Sequence, residues 1–82
     1  MTEVTLYGRS GCHLCDDARD LLLAIRAEHP FVLAEHDIEA DDDLFRRYLE
    51  RIPVIAIDGE ERFELDFDPI AVRAALAAKV QQ

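Results

Sequence analysis

The chain has 82 residues, half of them hydrophobic and a third charged, which is typical of one globular domain rather than of a disordered segment. Its 18 acidic side chains against nine Lys and Arg give a net charge of −9, which argues against nucleic acid and anionic membranes as partners. Its apolar runs, such as Leu21 to Ile25, are far shorter than the roughly 20 residues that span a bilayer, and the N-terminus lacks the form of a secretory signal. We expect a single cytoplasmic domain over residues 1–82.

Strands and helices are predicted to alternate along the chain, from the helical spacing of apolar residues, the apolar runs and the prolines. The elements are a strand at Val4–Tyr7, a helix from about Cys12 to Glu28, a strand from Phe31 to Ala34 that extends towards Asp37, a helix from about Asp42 to Glu50, strands at Val54–Ile57 and Arg62–Leu65, and a last helix. In the last helix Asp68 is the expected N-cap and Pro69 the first helical residue. Its expected apolar stripe comprises Ile70, Val72, Ala75, Leu76 and Val80.

The connections predict how the strands pair. A right-handed crossover through the first helix makes the first two strands parallel neighbours. Asp58-Gly59 is a two-residue hairpin signal that makes the last two strands antiparallel. The order βαβαββα therefore predicts an α/β fold, a four-stranded mixed sheet covered by helices.

The motif Cys12-His13-Leu14-Cys15 lies between the first strand and the first helix. Two cysteines three residues apart at a helix start lie on one face, with Cβ atoms roughly 5–6 Å apart, within reach of a disulfide after modest adjustment. In the reducing cytosol such a pair is more often catalytic or metal-binding than structural. It predicts an enzyme, a dithiol–disulfide oxidoreductase in which the Cys12 thiolate attacks a substrate disulfide and Cys15 resolves the mixed disulfide.

The charges around Cys12 decide how reactive its sulfur is. The N-terminus of the helix, the nearby Arg9 and the adjacent His13 all favour the thiolate. Asp16 and Asp17 act against it, so we expect the pKa of Cys12 to be lowered only moderately, to about 7. Arg9 and His13 are accordingly predicted to contribute to the substrate site.

The stretch from Val4 to Leu22, with its strand, Tyr7, Gly11, the cysteine pair and a helix, resembles the glutaredoxin-like members of the thioredoxin-fold family. The likeness spans nearly the whole chain and implies a thioredoxin-like fold. Ile52-Pro53-Val54 stands where that family has a cis-proline beside the thiols. The resemblance implies a cis Ile52–Pro53 bond, and it implies that the backbone of Ile52 holds an extended peptide or glutathione across Cys12 by strand addition.

The sequence differs from glutaredoxins at two places near this groove. His13-Leu14 replaces their usual Pro-Tyr, and the acidic, bulky stretch Leu65-Asp66-Phe67-Asp68 replaces their Gly-Gly. Asp66 and Phe67 are therefore expected to contact the substrate, either repelling a carboxylate or holding an ammonium group. The remaining candidates for a glutathione carboxylate, which otherwise form a solvated helix face, are Arg46, Arg47 and Arg51.

These observations predict that the partner is a disulfide-containing protein or a low-molecular-weight thiol. The chain itself is expected to be a monomer without bound cofactor or metal. Glutathione and thioredoxin reductase are the alternative reductants.

Three alternatives stay open at this point. The cysteines and two histidines, Cys12, Cys15, His29 and His36, run close to a zinc-finger spacing. The resemblance also implies, as a second alternative, an iron–sulfur cluster shared between two chains through Cys12. A non-catalytic adaptor with the same fold is the third, because the fold alone does not establish activity.

Overall fold

The computed structural model describes residues 2–80, except for the side chain of Val80. The elements in chain order are β1 (Glu3–Gly8), α1 (His13–Glu28), β2 (Val32–Asp37), a short 3-10 turn (Ile38–Ala40), α2 (Asp42–Tyr48), β3 (Val54–Ile57), β4 (Glu60–Glu64) and α3 (Pro69–Val80). The predicted order βαβαββα is confirmed. Among residues 2–80 no helix combines the length and the apolar character that a membrane span requires.

The four strands form one sheet in the order β2-β1-β3-β4. β1 pairs with β2 in parallel and with β3 in antiparallel orientation, and β3 pairs with β4 in antiparallel orientation. The predicted hairpin turn is confirmed: Asp58 and Gly59 have φ values of 51° and 84°, the left-handed geometry of a tight two-residue turn.

Alternate residues of the central strands contact different helices. One face of the sheet packs against α1 and α3. Its side chains and those of the two helices form one core, which includes Val4, Leu6, Ile55 and Ile57 of the sheet and Leu22, Ile25, Val72 and Leu76 of the helices. The opposite face packs against α2, where Tyr7 and Val54 contact Ile38 and Tyr48. The sheet is thus covered on both faces, and the start of α1 follows the C-terminal end of the central strand β1.

Several predicted boundaries are wrong by a few residues. Phe31 precedes β2 rather than opening it, although its side chain is buried in the core. α2 ends at Tyr48, and β4 runs from Glu60 to Glu64 because the tight turn lets pairing start early. At the far end Leu65 has a φ of 55°, which lies outside the extended region and stops the strand.

The apolar stripe of α3 was predicted with one wrong member. Val72 and Leu76 are fully buried, but Ile70 is 80% exposed. Two residues along an α-helix correspond to about 200° of rotation, so Ile70 faces away from Val72. The capping prediction is confirmed, because the Asp68 carboxylate accepts a hydrogen bond from the backbone N–H of Ile70 at 2.9 Å. The Val80 side chain lies outside the described part of the chain.

Candidate active site

Cys12 caps the N-terminus of α1. Its backbone is extended, and its Sγ accepts a hydrogen bond from the backbone N–H of Cys15 at 3.2 Å. Gly11 immediately before it has a φ of 77°, a conformation that glycine adopts without steric cost. The sulfur thus takes the place that a Ser or Asp oxygen usually fills. The positive end of the helix dipole and this N–H both favour negative charge on it.

Cys15 lies one turn further along the helix and is 1% exposed, whereas Cys12 is half-buried. The two thiols are not joined in a disulfide. Burial, followed by the hydrogen bond to Cys12 and the charges of Cys12 and Asp16, raises the pKa of Cys15 to about 12, although the Arg9 backbone acts in the opposite direction. Cys15 is therefore a neutral thiol at pH 7, and Cys12 is the more exposed of the two sulfurs.

Gly8, the last residue of β1, is a site residue that the sequence reasoning missed. A Cβ atom built on Gly8 would lie 3.1 Å from the Cys15 Sγ and 3.2 Å from its Cβ, so the strand approaches the buried cysteine closely because it has no side chain there. The available signal was a glycine at the end of an apolar strand, which often marks close backbone approach.

The Ile52–Pro53 peptide bond is cis, as the resemblance implied. Pro53 is fully buried, and Ile52 is half-buried. The N–H of Ile52 donates to the Tyr48 carbonyl at 3.0 Å, so it is already engaged at the end of α2. A peptide added as a strand at this point would bind through the Ile52 carbonyl or displace that bond, a constraint that the sequence did not predict.

Asp66 and Phe67 line a groove of about 380 Å³ together with the Leu14 of the cysteine motif. The other lining residues are Asp17, Leu21 and Pro69. The preceding residue, Leu65, donates its N–H to the carbonyls of Pro53 and Arg51, both at 3.1 Å. The groove wall is thereby tied to the proline loop. Asp17 was not predicted as a groove residue, although it stands three positions after Leu14 on the same side of the helix.

Arg9 lies on the other side of the motif. It is exposed and lines a second groove of about 470 Å³ that includes Cys15 and the charged side chains Asp16, Arg19 and Glu35. Arg19 pairs with Glu35 and, at 3.3 Å, with Asp16. His13 is the first residue of α1 and is exposed. The predicted substrate residues therefore fall on both sides of the cysteine pair rather than in one groove.

The arginines considered for a glutathione carboxylate lie in and after α2. Arg51 binds Glu61 at 2.5 Å and Glu64 at 2.9 Å, so its guanidinium already has two carboxylate partners. Arg47 is exposed, with its guanidinium 5.8 Å from the centre of the Tyr48 ring. Arg46 is also exposed.

The zinc alternative is not supported by the fold. His29 caps the far end of the 16-residue helix α1, roughly 24 Å from its start at a rise of 1.5 Å per residue. His36 stacks on Tyr7 with ring centroids 5.5 Å apart. Within residues 2–80 no group of three or more His, Cys, Asp or Glu side chains is arranged to hold a metal ion.

Comparison with known families gives a match over most of the chain. The sequence profile of the family described as "Glutaredoxin-like domain (DUF836)" matches residues 3–77. The chain belongs to this glutaredoxin-like family. A comparison of this glutaredoxin-like chain with curated proteins gives no match.

Solved structures agree with the family and the fold. The X-ray structure of the structural genomics target protein XcR50 from X. campestris is 33% identical over 92% of this chain and 96% of that chain, with a TM-score of 0.76. The solution structure of protein Ne2328 from Nitrosomonas europaea is 28% identical over 92% and 91%, also with a TM-score of 0.76. Thioredoxin 1 from Thermosipho africanus is 12% identical over 96% and 94%, with a TM-score of 0.72, and supports the thioredoxin-like fold alone.

Proposed function

We propose that this glutaredoxin-like chain is a dithiol–disulfide oxidoreductase that reduces a protein disulfide or a low-molecular-weight disulfide. The observation that carries the proposal is the unequal placement of the two sulfurs. Cys12 is half-buried and capped by the N–H of Cys15 at 3.2 Å, whereas Cys15 is buried behind it with its pKa raised to about 12. The Cys12 sulfur is thus placed to attack a substrate, and the Cys15 sulfur is placed to react in the second step.

The reaction proceeds through a mixed disulfide. The Cys12 thiolate attacks one sulfur of the substrate, the substrate S–S bond breaks, and the other substrate sulfur leaves as a thiolate. The Cys15 thiol then loses its proton to solvent, and its sulfur attacks the Cys12 Sγ. This releases the second substrate thiolate and leaves a Cys12–Cys15 disulfide. Two electrons pass from the protein to the substrate.

A reductant must return these two electrons. We propose a thiol such as glutathione, with thioredoxin reductase as the alternative donor, acting on a cytoplasmic monomer that holds no cofactor. Because Arg51 is already paired with Glu61 and Glu64, Arg46 and Arg47 are the arginines left to receive a glutathione carboxylate.

Thiol stoichiometry tests the proposal. Reduced wild-type protein is mixed with the neutral disulfide dithiodipyridine, and released pyridinethione is followed with time. We expect the wild type to release two pyridinethiones per chain and to end as an internal disulfide. Cys15→Ser should release one and keep the other as a mixed disulfide, seen by mass. Cys12→Ser should react at least about 100-fold more slowly than Cys15→Ser, because its remaining thiol is buried and protonated.

Two results would contradict the proposal. One is a Cys12→Ser variant that reacts as fast as Cys15→Ser. The other is a wild-type chain that binds two pyridinethiones and forms no internal disulfide, as expected of a non-catalytic adaptor.

A further inference from the structure

The groove between the start of α1 and the start of α3, hereafter the Leu14–Phe67 groove, has apolar walls and an acidic rim. Its apolar surface comes from Leu14, Leu21, Phe67 and Pro69, and its rim from Asp17 and Asp66. Leu14 is 42% exposed although it lies between the two cysteines. An exposed apolar side chain within the cysteine motif itself gives a substrate chain a contact surface at the start of α1.

The ion pairs of the described residues leave out both rim carboxylates. Within the part of the chain that the structure describes, no Lys, Arg or His side chain forms an ion pair with either Asp17 or Asp66. Two nearby acidic residues, by contrast, do have partners, since Asp16 pairs with Arg19 at 3.3 Å and Asp68 caps α3. Asp17 and Asp66 are therefore the carboxylates near the motif that remain available to a bound cation.

The two walls of the groove belong to the cysteine motif helix and to the segment next to the proline loop. Leu14, Asp17 and Leu21 follow one another on a single side of α1, at spacings of three and four residues, and Leu14 is two residues from Cys12. The opposite wall is tied to the proline loop by the hydrogen bond from the Leu65 N–H to the Pro53 carbonyl. The groove is therefore bounded on one side by the cysteine motif and on the other by the segment bonded to the proline loop, and a substrate chain that crosses the start of α1 between them would contact it.

We propose that the Leu14–Phe67 groove selects protein disulfides whose reactive cysteine is flanked by a Lys or Arg together with an apolar residue. The apolar side chain would contact Leu14 and Phe67, and the cation would lie between Asp17 and Asp66. Opposite charges steer association and suppress like-charged partners, so disulfides bearing several carboxylates react slowly here. This inference rests on the proposed function and names the substrate class of that same site.

Three peptide disulfides test the inference. They share one length and one apolar residue and differ only in the residue beside the cysteine, which is Lys, Ser or Glu. Reduced full-length protein reacts with each in a single turnover, and the second-order rate constant is measured. We expect the Lys peptide to react about tenfold faster than the Glu peptide at low salt, and the ratio to fall to about threefold at about 0.5 M NaCl.

Paired charge-removal variants localise the effect. Asp17→Asn combined with Asp66→Asn should lower the Lys-to-Glu ratio to about two, whereas Glu39→Gln combined with Glu50→Gln should leave it near ten. The control removes the same two charges from positions next to α2, on the other side of the sheet. All four side chains are exposed, so both variants should fold, which thermal unfolding checks.

The outcomes separate the inference from the proposed function. If the wild type reacts equally fast with all three peptides, or both double variants lower the ratio alike, the groove does not select basic segments, and the oxidoreductase activity still stands. If no peptide disulfide reacts, including the Ser peptide, the proposed function fails and the inference fails with it.

Discussion

At the scale of single residues, the site depends on Gly8 and Cys15 occupying adjacent space. The absence of a side chain on Gly8 lets Cys15 pack closely against β1, and a methyl group there would lie 3.1 Å from the Cys15 sulfur, closer than most real contacts of this kind. Burial is also the largest cause of the raised pKa of Cys15. One glycine therefore contributes to keeping the Cys15 sulfur protonated.

The raised pKa predicts how the resolving step depends on pH. In the mixed disulfide of the proposed reaction, Cys15 must lose its proton before it attacks, and burial still disfavours its thiolate. Since its pKa is raised to about 12 in the reduced protein, the thiolate fraction increases with pH throughout the range from pH 6 to 9. We expect the rate of the second pyridinethione release to rise by up to about tenfold per pH unit. A rate that stays constant over this range would contradict the assignment.

At the scale of elements, a polar contact joins α2 to β4. The Tyr48 hydroxyl donates to Glu61 at 2.7 Å, and Arg51 binds both Glu61 and Glu64. The Tyr48 ring stacks on Tyr7 with centroids 4.5 Å apart. The end of α2 is thus attached to the sheet immediately before the loop that contains Pro53.

Removing the Tyr48 hydroxyl should destabilise this junction. We expect Tyr48→Phe to lower the free energy of unfolding by about 1 kcal/mol at pH 7, because the variant lacks the hydroxyl that donates a hydrogen bond to Glu61. The Tyr48 hydroxyl, followed by Arg51, holds the pKa of Glu61 below its ordinary value. The ionised Glu61 therefore stabilises the fold fully at a pH above the ordinary pKa of a glutamate. This contribution is lost as the pH falls through the lower pKa that Glu61 has in the folded protein.

Urea unfolding at pH 7 and pH 3 measures both effects. The difference between wild type and Tyr48→Phe should be smaller at pH 3 than at pH 7. Tyr7→Phe is the matched control, since the Tyr7 hydroxyl makes no hydrogen bond within the described residues, and it should change stability by less than about 0.5 kcal/mol. An equal cost for the two variants would show that the hydrogen bond to Glu61 is unimportant.

At the scale of the whole molecule, net charge outweighs the individual ion pairs. Every ion-paired side chain within the described residues is at least 34% exposed, and exposed pairs contribute little. The net charge of −9 by contrast disfavours the compact state through self-repulsion.

Salt should therefore stabilise the protein. We expect Tm to rise by a few degrees, roughly 3–6 °C, as NaCl increases from about 0.02 to about 0.3 M, because the Debye length shortens and repulsion is screened. Thermal unfolding at fixed pH measures the change. A fall in Tm would mean that the ion pairs matter more than the net charge.

The element order, the hairpin at Asp58 and Gly59, the cap of α3 and the place of the cysteine pair at a helix start were all predictable from the amino-acid sequence. These features depend on neighbouring residues, through helical periodicity, turn geometry and capping, so they can be read locally. Where the local signal was weak, as at the ends of β4 or at Ile70, the prediction was wrong.

The folded structure was needed to show which residues distant in sequence meet at the site. It placed Gly8 against Cys15, brought Asp17 of α1 to the same groove as Asp66, paired Arg51 with Glu61 and Glu64, and engaged the Ile52 N–H with Tyr48. Each of these contacts depends on how the helices pack on the sheet. That packing is set by the summed burial of many apolar side chains, and no short stretch of sequence carries it.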